Sequence, residues 1–183
     1  MIERRDVRLR QLKAVFFLEL KRLLRGREAR AALFFAAAPF LLALVAHAVR
    51  DHATVPGRVE KEFAFVFQNL VLQGTLFFGT LFVFGGLLRG EQLAKTLHHL
   101  FLAPVRREVL LLGKYLAALA VTSAAFAGFS ALAYVTLLTG AGSGAATAHL
   151  ASGGAGRLLG YAFVTLLACA AYGAVFLAFG QWV

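Results

Sequence analysis

The chain has 183 residues, 60% of them hydrophobic, and its mean hydropathy of +0.76 excludes an ordinary soluble domain of this size. Its formal net charge of +10 could indicate a nucleic-acid-binding protein, but the bases cluster at the ends of long apolar runs, which argues against that class. Because about 20 apolar residues suffice to cross the hydrocarbon core of a bilayer, these charge-free runs predict membrane spans. We therefore predict an all-α, polytopic membrane protein with four spans, at residues 31–49, 63–88, 115–138 and 158–183.

The first predicted element is a basic amphipathic helix at residues 6–25, which precedes the first span. Charged and amide side chains cover most of its surface, and its apolar face carries Leu9, Leu12, Phe16, Leu20 and Leu23. A basic amphipathic helix that leads into a span is typical of helices that lie in the membrane interface. A helix packed on a soluble partner is the alternative interpretation, and the two are compatible.

The first and second spans contain residues that are unusual in an apolar helix. Pro39 predicts a kink in span one, which is tolerated if a neighbouring helix satisfies the freed carbonyl group. Span two carries Asn69, Gln73 and Thr80 at spacings that place them on one helical face. Hydrogen bonds to another helix are our first interpretation of these polar side chains, and a transport pathway is the second.

Small residues predict where helices approach each other closely. In span two, Thr75, Gly79 and Gly86 form a face of this kind, and span four carries Gly173 and Gly180 seven residues apart. Between spans three and four, the connection at residues 139–156 contains six glycines and no charged residue. This composition predicts a flexible or re-entrant loop.

The distribution of basic residues predicts the orientation of the chain. Ten of the 19 Lys and Arg residues precede span one, and five lie in or beside the segment between spans two and three. The positive-inside rule therefore places the N-terminus, this segment and the C-terminus in the cytoplasm. Arg outnumbers Lys, and Ala and Gly are abundant, which favours a bacterial source and hence a bacterial inner membrane.

The cytoplasmic segment between spans two and three has an amphipathic pattern of its own. It predicts a short helix at residues 91–102, one face of which carries Leu93, Leu97, Leu100 and Phe101. Glu91 and Lys95 support this helix as a pair four residues apart, and Pro104 ends it because proline lacks the amide donor. A crosswise helix of this kind can transmit motion between a soluble partner and the spans. An interfacial helix without a partner is the alternative.

Short motifs in this region resemble those of the type-2 ATP-binding-cassette (ABC) exporter permeases. In chain order they are Gly90-Glu91, Lys95-Thr96-Leu97, Ala-Pro-Val-Arg-Arg at residues 103–107, and Leu-Leu-Gly-Lys-Tyr at residues 111–115. The basic helix at residues 6–25 is similar to the elbow helix of that family. The resemblance covers most of the chain, and its specific motif occupies residues 90–115.

The resemblance implies a permease subunit that pairs with a second permease subunit, as a homodimer or a heterodimer, and moves a substrate outward. Residues 91–102 would be its coupling helix, which sits in a groove of a cytoplasmic ABC ATPase and carries the motion of that ATPase to the spans. The implied ATPase-coupling residues are Glu91, Leu93, Lys95, Thr96, Leu97, Leu100, Phe101, Pro104, Arg106 and Arg107.

The sequence contains no glycine-rich phosphate loop of the G-x-x-x-x-G-K-[ST] type, so we expect ATP and Mg²⁺ to bind to the partner ATPase and no cofactor to bind to this chain. We also expect no enzyme and no metal site, because the spans lack paired acids, a nucleophile with its base, and a ligand cluster. Type-2 permeases normally have six spans, whereas the fourth predicted span ends this sequence. The alternative function is therefore a membrane scaffold or a truncated permease fragment, which recruits a cytoplasmic partner without transport.

Overall fold

Nearly all of the described chain is helical. The computed structural model describes residues 2–49, 56–93, 107–140 and 143–180. Its helices are α1 (Ile2–Arg25), α2 (Arg27–Val49), α3 (Pro56–Val66), α4 (Leu76–Leu93), α5 (Arg107–Thr139), α6 (Ser143–His149) and α7 (Ala155–Gly180). A π-helical segment, Phe67–Thr75, joins α3 to α4, and a kinked segment, Leu150–Gly154, joins α6 to α7.

Four helical stretches in these described ranges are long and apolar enough to cross a membrane, judged by length and composition: Arg27–Val49, Gly57–Leu87, Glu108–Thr139 and Gly144–Gly180. The prediction of an all-α, polytopic membrane protein is therefore confirmed. The helices extend beyond the predicted spans, because hydropathy marks where charged residues begin rather than where a helix ends. Helix α3 begins at Pro56, a residue favoured in the first helical turn, and includes several charged residues ahead of Phe63.

Buried apolar residues form three clusters along the bundle. The distal cluster lies where α3 begins and α5 ends, and it includes Phe63, Phe67, Tyr134 and Leu138. The central cluster consists of Ala36, Leu76, Phe126 and Cys169. The proximal cluster lies near the end of α4 and the start of α5, and it includes Leu23, Val83, Phe84, Ala117 and Phe176. We call the end of the bundle that holds the first of these clusters the distal end, and the end that holds the third cluster the proximal end.

The π-helical segment Phe67–Thr75 changes which residues of the second span share a face. The backbone N–H of Leu76 donates to the carbonyl oxygen of Val71, five residues earlier, so an extra residue is taken into the turn. Asn69 and Gln73 are exposed, whereas Thr80 is completely buried. The prediction that these three polar residues share one face is therefore wrong for Thr80, because it assumed an uninterrupted α-helix.

The connection between spans three and four is largely helical. The flexible or re-entrant loop predicted at residues 139–156 contains α6, whose Ala146 is buried in the distal cluster. The helical path breaks at Gly153, where φ is +120°. Residues with a side chain rarely adopt this conformation, so the break in the helical path requires a glycine at position 153.

Candidate functional site

The predicted coupling segment begins within α4, and α5 follows it in the chain. Glu91 and Leu93 are in the last turn of α4, and Arg107 is the first residue of α5. The remaining predicted coupling residues lie outside the described residues: Lys95, Thr96, Leu97, Leu100, Phe101, Pro104 and Arg106. The crosswise helix at residues 91–102 and its break at Pro104 therefore stay predictions. This segment is attached to the end of α4 and the start of α5. We call these two helices, together with the helices packed against them, the frame.

One part of this frame is the close contact between α1 and α5. A Cβ atom added at Gly113 would lie 2.7 Å from Cγ1 and 3.1 Å from Cβ of Val15, so only a glycine permits the observed approach. The face of α1 that carries Phe16, Leu20 and Leu23 packs against the proximal cluster. At Phe16, Leu20 and Leu23, the amphipathic helix predicted at residues 6–25 thus packs on its own chain.

Replacing Gly113 by Ala is expected to destabilise the protein by about 1–2 kcal/mol, because the added methyl group must displace Val15 and separate α1 from α5. The measurement is the midpoint of thermal unfolding of the detergent-solubilised chain, followed by size-exclusion chromatography. Gly128→Ala is the matched control on the same helix, since a Cβ atom at Gly128 meets no atom within 4 Å. Equal midpoints for the two variants would show that the contact at Gly113 carries no stability.

Charged residues are buried at the same end of the bundle. Glu19 of α1 is 4% exposed, and Lys114, the lysine of the Gly-Lys motif, is 3% exposed. Nη1 of Arg22 lies 3.4 Å from Oε1 of Glu19. The burial of Glu19 was not predicted, although the signal was present: Glu19 lies three residues after Phe16 and four before Leu23, on the apolar face.

A second part of the frame joins α4, α5 and α7. The hydroxyl of Tyr115, at the start of the third predicted span, donates a hydrogen bond of 2.8 Å to the carbonyl oxygen of Ala170. The ring of Phe84 lies 5.6 Å from the ring of Tyr115, between centroids, and covers Gly173 on α7. A Cβ atom at Gly173 would lie 2.6 Å from Cζ of Phe84. Helices α1, α4, α5 and α7 therefore pack closely against one another at the proximal end of the bundle.

Residues 19–181 match the family model described as ABC-2 family transporter protein. The chain belongs to the ABC-2 transporter family. Among curated proteins and among solved structures, no match was found. The match begins in the second half of α1, includes the whole segment between α4 and α5, and extends past the end of α7.

Membership of the ABC-2 family confirms the resemblance that the motifs at residues 90–115 indicated. The chain is a permease component of an ABC transporter and a multi-pass membrane protein, and such a permease generally implies an ABC ATPase as partner. The structure adds a physical reason for the glycine of the family-like Gly-Lys motif: Gly113 is where the ABC-2 permease brings α1 against α5.

The predicted pathway residues lie in different environments in the ABC-2 permease. Asn69 is exposed and its Nδ2 donates to the carbonyl oxygen of Phe65 at 2.9 Å, while Gln73 is also exposed. Thr80 is buried and its hydroxyl donates to the carbonyl oxygen of Leu76 at 2.8 Å, within its own helix. Only Asn69 and Gln73 are therefore available to a molecule or subunit outside this chain.

Sequence reasoning also missed an ion pair at the distal end. The guanidinium of Arg157, at the start of α7, contacts the carboxylate of Glu60 on α3. Nε2 of His149 lies 4.0 Å from the same carboxylate. Because these residues are far apart in the sequence and each stands next to an apolar run, no local pattern connects them. The contacts attach the α6 connection to the start of span two.

Proposed function

We propose that this chain is the membrane-spanning subunit of an ABC exporter, in which a separate ATPase drives the outward movement of a substrate. The observation that carries the proposal is the ABC-2 family match over residues 19–181, which includes the entire predicted coupling segment. We assign ATP and Mg²⁺ to the partner ATPase and no catalytic chemistry to this chain. The orientation follows from the basic residues near α1 and around residues 89–114, which favour a cytoplasmic proximal end.

In this proposal, the coupling segment moves a connected unit rather than a single helix. A displacement of residues 91–102 acts on the end of α4 and the start of α5. The contact of Gly113 with Val15 links α5 to α1, and the hydrogen bond from Tyr115 to Ala170 links α5 to α7. Closely packed helices transmit such displacements because their interiors have low compressibility. The motion of the ATPase therefore reaches most of the proximal half of the bundle.

The exposed polar residues of the second span support a dimer. Asn69 and Gln73 lie within the apolar stretch Gly57–Leu87, where contact with hydrocarbon alone leaves polar groups without partners. A second permease subunit, or a pathway between the two subunits, supplies polar partners at this position. We assign Asn69 and Gln73 to that region because both are exposed, and we leave out Thr80 because it is completely buried within this chain.

The test is affinity purification of the tagged chain from its native host in mild detergent, followed by mass spectrometry. We expect an ATPase subunit with a phosphate loop to co-purify in an amount close to that of the permease. Recovery of other membrane proteins only, or of nothing, would contradict the exporter proposal and favour the scaffold alternative.

A further inference from the structure

Helix α1 has two apolar surfaces, and only one of them packs on the rest of the chain. The first surface includes Leu23, which is buried in the proximal cluster. The second includes Phe17, Leu18 and Leu24, which are 64%, 70% and 62% exposed. Large apolar residues that are exposed together on one side of a helix mark a surface that contacts a membrane or another protein.

Basic residues alternate with these apolar residues on the exposed side of α1. Lys13, Phe17, Lys21 and Arg25 follow one another at four-residue intervals, so they form one row along the helix, and all four are exposed. At about 100° per residue, this row and the two exposed leucines cover about 140° of the circumference of the helix. We call this surface the outer face of α1, and its residues are Lys13, Phe17, Leu18, Lys21, Leu24 and Arg25.

The outer face carries no negative charge. The only acid between residues 10 and 25 is Glu19, which is 4% exposed and has its Oε1 atom 3.4 Å from Nη1 of Arg22. An exposed carboxylate in the middle of this stretch would offset one of the bases. Because Glu19 is buried, every charge on the outer face is positive.

The contacts of α1 hold its outer face at the boundary of the bilayer. Leu23 lies in one cluster with Phe84, Ala117 and Phe176, and these three residues belong to three of the four candidate spans. The remaining candidate span begins at Arg27, two residues after the end of α1. A helix attached in this way cannot lie far from the membrane surface, which favours lipid over a soluble partner as the occupant of the outer face.

We propose that the outer face of α1 binds anionic phospholipids, in the leaflet at the proximal end of the bundle. Its bases pair with the negatively charged headgroups, and its apolar residues enter the region where the acyl chains begin. Lys and Arg side chains suit this position, because their apolar stems lie along hydrocarbon while their charged ends reach the headgroups. A zwitterionic lipid is bound less strongly, since its own cation repels the same bases.

This site differs from the membrane contact that the sequence of α1 predicts. Phe16, Leu20 and Leu23 of the predicted apolar face pack on the chain itself, so the outer face is the surface available to lipid. Binding needs only this chain. The inference therefore goes beyond the proposed function and does not depend on the ATPase or on transport.

The test compares two photoreactive lipids in nanodiscs that contain the purified chain. The nanodiscs consist of phosphatidylcholine with a small fraction of a tracer, either phosphatidylglycerol or phosphatidylcholine, and both tracers carry a diazirine in the same acyl chain. After illumination, mass spectrometry compares the labelling of residues 13–25 with that of residues 41–45. Most of residues 41–45 are exposed apolar residues of α2, and they report general contact with lipid.

We expect the ratio of labelling at residues 13–25 to labelling at residues 41–45 to be at least about tenfold higher with the phosphatidylglycerol tracer, because each base near an anionic headgroup strengthens binding about fivefold. Lys21→Gln combined with Arg25→Gln should lower this preference to about twofold or less. The matched control combines Arg58→Gln with Lys61→Gln, which removes two exposed bases at the distal end, and is expected to keep the preference.

Phe17→Ser tests the apolar part of the outer face and is expected to lower labelling of residues 13–25 by both tracers. The size-exclusion profile shows that each variant is folded. Equal ratios with the two tracers, or an unchanged preference after loss of Lys21 and Arg25, would overturn the proposal. Much weaker labelling of residues 13–25 than of residues 41–45 with both tracers would also overturn it, and would indicate that a protein partner covers the outer face.

Discussion

Replacing Leu97 by Asp is expected to remove the ATPase from the purified permease. Leu97 lies at the centre of the predicted apolar face of residues 91–102, and a charge placed in an apolar groove has no partner there. A central residue of an interface contributes about 2–4 kcal/mol, so the affinity should fall by a factor of about 30 to 1,000. The measurement is the ratio of ATPase to permease after affinity purification, determined by quantitative mass spectrometry.

The matched control for this variant is His99→Asp. Residue 99 lies two residues after Leu97, and at about 100° per residue it is on the opposite side of the predicted helix. The His99→Asp variant introduces the same charge into the same segment, and we expect most of the ATPase to co-purify with it. Loss of the ATPase from both variants would indicate a general effect of charge. Retention of the ATPase in both variants would contradict the prediction that the apolar face of residues 91–102 binds the ATPase.

Replacing Gly173 by Leu is expected to destabilise the bundle by about 3 kcal/mol, at the upper end of the range for overpacked cores. A Cβ atom at this position would lie within 2.9 Å of three atoms of the Phe84 ring, and Phe84 is fully buried, so the ring has no free space to enter. The contact between α4 and α7 must therefore open. We expect a lower midpoint of thermal unfolding and a smaller yield of monodisperse protein.

Two further variants show whether the clash is the cause. Gly160→Leu places the same side chain on the same helix, where a Cβ atom meets no atom within 4 Å, and is expected to leave the midpoint nearly unchanged. Combining Gly173→Leu with Phe84→Ala removes the ring that the new side chain meets. The double variant should recover part of the loss, and a double variant that is less stable than either single variant would contradict this explanation.

Hydropathy alone predicts the class of fold because a bilayer demands long apolar helices, and the four runs are unmistakable. It does not predict where the helices end, since charged residues such as those between Pro56 and Phe63 can be helical outside the apolar region. It also does not predict the π-helical segment Phe67–Thr75. Extrapolating an α-helical period through that segment put Thr80 on the wrong face.

Small residues and amphipathic faces predict contact but not the partner. Gly79 lies on a face predicted to approach another helix, and it does lie under the ring of Phe126. The sequence could not identify that helix as α5, because packing partners depend on the whole arrangement. For α1, an apolar face looks the same whether it meets lipid or protein. Its contact with α5 therefore required the structure, and so did the burial of Glu19.

The coupling site is a prediction from the sequence, and most of its residues lie outside the described part of the chain. Its motif at residues 90–115 identified the family, and the match over residues 19–181 confirms that family. The structure contributes the frame on either side: the last turn of α4, the start of α5, and the contacts of Gly113 and Tyr115. Which residues of the segment touch the ATPase stays a prediction.

The central claim, that residues 91–102 contact an ATPase, is tested most directly by cross-linking. Cys169 is the only cysteine of the chain, so Cys169→Ala combined with Leu97→Cys gives a single reactive site. A benzophenone attached there and activated by light in native-host membranes is expected to form an adduct with a phosphate-loop ATPase, and one attached at His99→Cys to form much less. Adducts with lipid alone, or with membrane proteins alone, would contradict the account.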